Sequence, residues 1–157
     1  MNAGKVSRVN ARVLAEEKGI KLATRQGAPD PGFETSIGVK VDTERGRVRV
    51  AGALIGDSHG RVIRIDDYHV DISPVGWMLV VRNKDVPGVI GNVGSALGKA
   101  GINIASYHQA RRAPQAGSAP SDALAAINVD QALTNGVLDK LQALPDVVEV
   151  RLANFGD

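Results

Sequence analysis

A chain of 157 residues with 43% hydrophobic side chains has room for one ordinary domain or two small ones, and enough apolar material for a core, which excludes disorder over most of its length. Nineteen basic against seventeen acidic residues leave +2, too little for the field that gathers nucleic acid, and the absence of cysteine removes disulfides, thiolate metal sites and a cysteine nucleophile. No apolar run approaches the roughly 20 residues of a membrane span, and Met1 to Lys5 lacks the apolar core of a signal peptide, so a soluble, cytoplasmic protein without membrane or nucleic-acid partners is expected.

In chain order, Ser7 to Lys18 reads as a helix, with Val9, Val13 and Leu14 near helical spacing and Gly19 as its stop. Ile20 to Thr24 reads as a short strand, and Gln26 to Gly32, with two prolines and two glycines, as a loop. Ile37 to Val41 and Val48 to Ile55 form a hairpin around Glu44-Arg45-Gly46-Arg47. Arg61 to Ile65 and Tyr68 to Ile72 form a second hairpin around Asp66-Asp67. Ser73-Pro74-Val75-Gly76 is the expected boundary, dividing the chain into residues 1–75 and 76–157.

Beyond it the apolar strand Trp77 to Val81 passes through Asp85-Val86-Pro87-Gly88 into a helix over Val89 to Ala100, closed by Gly101. Ile102 to His108 is a strand, Arg111 to Ser121 a polar hairpin loop, Ala123 to Val129 a strand, Gly136 to Ala143 a helix and Val147 to Leu152 a last strand. The order β-α-β-β-α-β is that of a ferredoxin-like sandwich. The fold class expected is therefore α+β, with two small α/β sandwich domains of which the second is ferredoxin-like.

Enzyme chemistry finds little support. G-x-S-x-G, H-E-x-x-H and the phosphate-binding G-x-x-x-x-G-K-[ST] are all missing, and His59, His69 and His108 are scattered. Gly88-x-x-Gly91-x-x-Gly94 lacks the paired G-x-G turn of a dinucleotide fingerprint. No catalytic residue and no metal ligand set is assigned. The Asp85-Val86-Pro87-Gly88 turn is more informative: a helix start offers free N–H groups to a small carboxylate, and an adjacent acid suits an ammonium, so together they can grip a free amino acid. The bland alternative is that Asp85 caps the helix, Pro87 rigidifies its entry and Gly88 permits close packing. Asn103 begins the next strand at the opposite end of that helix, so it can join the same site only from a second copy of the chain; alternatively it bonds locally. In the first unit Arg61, Arg64 and His69 lie among several basic strand residues that either converge on an anion or form a solvated face. Arg111-Arg112 reads as a solvated loop tip.

The stretch Trp77 to Gly94, WMLVVRNKDVPGVIGNVG, followed by Gly101-Ile102-Asn103-Ile104-Ala105, resembles the ACT domain that ends long-form bacterial D-3-phosphoglycerate dehydrogenases. Val9-Asn10-Ala11, Glu16 to Ile20, Val50-Ala51-Gly52 and Arg64 to Asp71 resemble the intervening, or allosteric substrate-binding, domain of that family. The resemblance implies a regulatory C-terminal fragment, with Met1 a fragment start. It implies a parent that oxidises 3-phosphoglycerate to 3-phosphohydroxypyruvate with NAD in serine biosynthesis, the NAD site and catalytic residues lying in domains this chain lacks. It implies a homodimer or tetramer through ACT domains and L-serine, or a similar small amino acid, at the seam. Asn83 and Asp85 would face the ligand from one protomer, Asn103 from the other, and the backbone of Pro87, Gly88 and Val89 would receive the carboxylate. Arg61 matches a basic position of family members that bind an anion, whereas Ser73 stands where a relative has arginine. Two other readings remain open: the regulatory module of an iron–sulfur L-serine dehydratase, and a purely structural dimerisation module.

Overall fold

The computed structural model describes residues 6–7, 9–28, 32–44, 46–56, 58–112 and 122–156. Its elements are α1 (Ala11–Glu17), β1 (Ser36–Thr43), β2 (Gly46–Ile55), β3 (His59–Ile65), β4 (Tyr68–Ile72), β5 (Trp77–Lys84), α2 (Val89–Lys99), β6 (Ile104–Arg111), β7 (Asp122–Val129), α3 (Asn135–Gln142) and β8 (Val147–Asn154). They make two four-stranded antiparallel sheets, ordered β1-β2-β3-β4 and β6-β7-β5-β8, and the chain is α+β.

The second sheet with α2 and α3 has the expected ferredoxin-like order. One face of it, Leu79, Val81, Ala125, Ile127 and Val129, packs against Val89, Val93 and Leu97 of α2 and Leu141 of α3. Gly101, at φ 71°, ends α2 as the glycine stop requires, and the Ile102 N–H returns to the Leu97 carbonyl at 3.0 Å. That return delays the next strand to Ile104.

The first sheet covers the other face. Val62, Ile65, Tyr68, Val70 and Ile72 meet Met78, Ala110, Leu124 and Ala126 in one buried cluster. Strand β7 lies between the two layers and is buried on both faces, its first residue alone being half-buried. The linker between the sheets is held at both ends of its course. The Asn128 amide, 6% exposed, donates to the carbonyls of Ser73 and Val75 at 3.2 Å each and accepts from the Ser106 hydroxyl at 2.8 Å. Gly76 exchanges backbone hydrogen bonds with the C-terminal segment, donating to Gly156 at 3.0 Å and accepting from Phe155 at 2.9 Å.

The N-terminal expectations need correction. Helix α1 is one turn shorter at its start than the spacing predicts and has no buried residue, so the layer over the first sheet is the second sheet rather than this helix. Ile20 to Thr24 form no strand: Ile20 and Leu22 are about half exposed, and without a neighbouring strand to bond, β-compatible composition does not make a ladder. Arg45 of the first turn, residues 29–31 of the Gln26 to Gly32 loop and residues 113–121 of the Arg111 to Ser121 loop lie outside the described residues.

Candidate functional site

Strand β5 delivers the chain to the Asp85–Gly88 turn, and Gly88, at φ 95°, starts α2. A side chain there would be strained, which explains the glycine. Among the described residues no side chain caps the helix, so Asp85 is not the capping residue that the bland alternative makes it. Its carboxylate, 12% exposed, instead forms an ion pair with Arg111, Oδ2 lying 2.8 Å from Nε. Val89 is buried at 3% while Pro87 and Gly88 are exposed, so the turn presents its backbone outward and anchors itself through the core.

Asn83 lies on the helix-facing side of β5, is 2% exposed, and donates from its amide to the Lys84 carbonyl at 2.7 Å. In the single chain it supports the turn from beneath. Asn103 is exposed and donates to Asp130 Oδ2 at 2.7 Å. It precedes the end of the sheet where Ile104 and Trp77 both pair with Val129, whereas Asp85 follows the opposite end, where Lys84 pairs with Asp122. One chain therefore does not bring Asp85 and Asn103 together. Strand β6 is an edge strand, bonded to β7 alone.

The three basic residues of the first sheet divide. Arg64 and His69 are cross-strand partners, and with Lys40 and Arg49 they line an open cleft of about 460 Å³. Arg61 is elsewhere: it pairs with Ala53 on β2, and its guanidinium donates to Asp71 Oδ1, the Ser73 hydroxyl and the Asp71 carbonyl at 2.5, 2.5 and 3.0 Å. The cleft is not purely cationic. Asp66 and Asp67 also line it, and Asp67 accepts from Arg49 Nη2 at 2.9 Å.

Sequence reasoning missed Lys40 and Arg111. The register of the first hairpin, Lys40 opposite Arg49, is the signal that could have found the former, because the Glu44–Arg47 turn sets it. Arg111 is the last residue of β6 rather than a loop tip, and its tie to Asp85 spans the intervening strand β7. Among the described residues no group of three His, Asp or Glu side chains could hold a metal ion, and no helix is long and apolar enough to cross a membrane.

A four-stranded β6-β7-β5-β8 sheet backed by two helices is a ferredoxin-like α/β sandwich. Residues 77–146 match the ACT domain family. Residues 1–66 match the D-3-phosphoglycerate dehydrogenase intervening domain, and these two matches, in this order, identify the chain as an intervening-domain and ACT-domain pair of the D-3-phosphoglycerate dehydrogenase family. It is 31% identical over 150 residues to the D-3-phosphoglycerate dehydrogenase of Bacillus subtilis, covering 96% of this chain and 28% of that protein. The enzyme of the same name from Synechocystis is 30% identical over 151 residues, with 94% and 26% covered. That of Methanocaldococcus jannaschii is 25% identical over 150 residues, with 96% and 27% covered. The chain thus spans little more than a quarter of the length of these relatives.

Proposed function

We propose that this chain is the regulatory region of a D-3-phosphoglycerate dehydrogenase and binds L-serine, or a similarly small amino acid, at its ACT domain. The observation that carries the reading is Asp85, a nearly covered carboxylate set beside the uncapped start of α2. An ammonium on Asp85 leaves the ligand's carboxylate facing the first free N–H groups of the helix, the two charges each meeting their complement within one turn of chain. Antiparallel apposition of two β6 edges brings Asn103 of one copy toward the Asp85 turn of the other, so the site is complete only in a homodimer or larger assembly.

On this reading the domains, residues 1–75 and 76–157, act on a catalytic portion outside this chain. There 3-phosphoglycerate would be oxidised with NAD, and an effector that binds the less active state better shifts the enzyme toward it. About 100-fold inhibition at saturation requires about 2.7 kcal/mol of differential binding. The cross-strand Arg64–His69 pair and the neighbouring Lys40 support a second ligand class in the first sheet, a small anion such as a phosphorylated acid.

Calorimetric titration of the chain with L-serine, with glycine, L-alanine and 3-phosphoglycerate in comparison and assembly size fixed by light scattering, tests the proposal. Saturable heat selective for L-serine, abolished in Asp85→Ala, is expected. Absence of heat from a well-folded dimer refutes amino-acid binding and favours an assembly role.

A further inference from the structure

Arg111 ends β6, two strands away from β5, and still reaches Asp85 at 2.8 Å. The two partners differ sharply in exposure: the guanidinium side chain is 68% exposed and the carboxylate 12%. A solvent-bathed cation is therefore inserted against a nearly covered acid, in the place that a ligand's ammonium takes if the Asp85 turn is an amino-acid site. Moving Arg111 back to water gives up little, because most of its side chain is already there. Moving an ammonium in restores the charge pairing that Asp85 requires.

The next residue faces the other way. Arg112 places its guanidinium carbon 5.5 Å from the centroid of the Tyr68 ring, a cation–π distance. Tyr68 is 1% exposed and sits in the cluster where the two sheets meet. Among the described residues neither the Tyr68 hydroxyl nor Arg112 Nε has a hydrogen-bond partner, so ring face and charge carry that contact. Two adjacent residues thus touch the ligand-side acid and the inter-sheet core, so a shift of the backbone at the end of β6 moves both.

We propose that Arg111 is an internal cation that a ligand's ammonium must displace from Asp85, and that the displacement is passed through Arg112 to Tyr68 and the first sheet. The inference rests on the amino-acid reading of the Asp85 turn. It makes affinity at the site a competition between two cations for one carboxylate, and it gives the ACT domain a covalent neighbour through which occupancy is felt in the other sheet.

The test uses the full 157-residue chain carrying 3-fluorotyrosine, with L-serine as the probe. Tyr68 and Tyr107 are its two tyrosines, and Tyr107→Phe assigns their fluorine signals. Arg111→Gln should bind L-serine about threefold to fivefold more tightly than the parent, the size of a partly exposed ion pair, and Arg111→Lys should stay close to the parent. In Arg111→Gln without ligand, the Tyr68 signal should already stand where saturating L-serine moves it in the parent. If the parent binds and Arg111→Gln binds equally, the displacement idea is overturned and the amino-acid site stands. If Arg111→Gln binds more tightly but saturation of the parent leaves the Tyr68 signal in place, the transmission through Arg112 is overturned. If neither protein binds any of L-serine, glycine or L-alanine, the site and the inference fall together.

Discussion

Replacing Asn128 with alanine should loosen the joint between the two sheets, and the structure sets the size of the effect. The amide makes two 3.2 Å hydrogen bonds to the Ser73 and Val75 carbonyls and accepts one of 2.8 Å from Ser106. The two long bonds together are worth about as much as one good one, near 1 kcal/mol, and the bond from Ser106 about another. Ser73 is half-buried and Val75 exposed, so their carbonyls regain water once the amide is gone; the small void left at a 6% exposed position adds the remainder. The sum is about 2–3 kcal/mol, which for a chain of this size lowers Tm by roughly 5–10 °C. Thermal unfolding followed by far-ultraviolet circular dichroism measures it. Asn128→Asp should be worse than alanine at pH 7, because a carboxylate replaces the donor facing two carbonyl oxygens. The folded state then raises the pKa of that carboxyl, so the deficit shrinks as pH falls and the group protonates. A loss below 0.5 kcal/mol in Asn128→Ala, or a pH-independent deficit in Asn128→Asp, would refute the assignment of the linker's fixation to this amide.

Tyr68→Phe removes a buried hydroxyl that has no partner among the described residues, so stability in denaturant should be unchanged or higher by up to about 1 kcal/mol, the reverse of the usual sign for losing a polar group. Leu79→Ala, in the core between the second sheet and α2 and 0% exposed, should cost about 3–5 kcal/mol in urea unfolding. Gly88→Ala should destabilise by about 1–2 kcal/mol through strain at φ 95° rather than through a clash. Burial raises the pKa of the Tyr107 phenol, so the fold favours its neutral form. That contribution is complete below the unfolded value near 10 and disappears as pH climbs through the higher folded value, and Tyr107→Phe should flatten the alkaline limb of the stability profile.

The second sheet was legible in the sequence because each of its elements carries its own punctuation. Gly88 and Gly101 bracket α2, and the spacing of Val89, Val93 and Leu97 marks the face it buries. What covers the other side of that sheet was not stated by any local period. The clue lay in Ala123 to Val129, a strand apolar at every position but Asn128, which requires cover on both faces. Ile20 to Thr24 shows the opposite failure, since composition suits a strand while pairing depends on a neighbour that no short window contains. Within the candidate site, the Asp85–Gly88 turn was readable as a contiguous motif. The tie to Arg111 was not, because it joins residues 26 positions apart at the ends of strands separated by β7.

Cladding on both faces also decides where the second sheet can grow. With helices on one side and the first sheet on the other, further strands can join only at its two lateral margins. The margins are unequally defended. Strand β8 carries Glu149 and Arg151, bound to each other and, through Glu149, to Arg82, and fixed charges of this kind discourage a foreign strand. Strand β6, Ile-Ala-Ser-Tyr-His-Gln-Ala-Arg, has no fixed charge before its final residue. The sheet is thus a plank with one guarded and one receptive edge, a polarity that favours closed pairs over open-ended stacking: once two receptive edges have met, only guarded ones face outward.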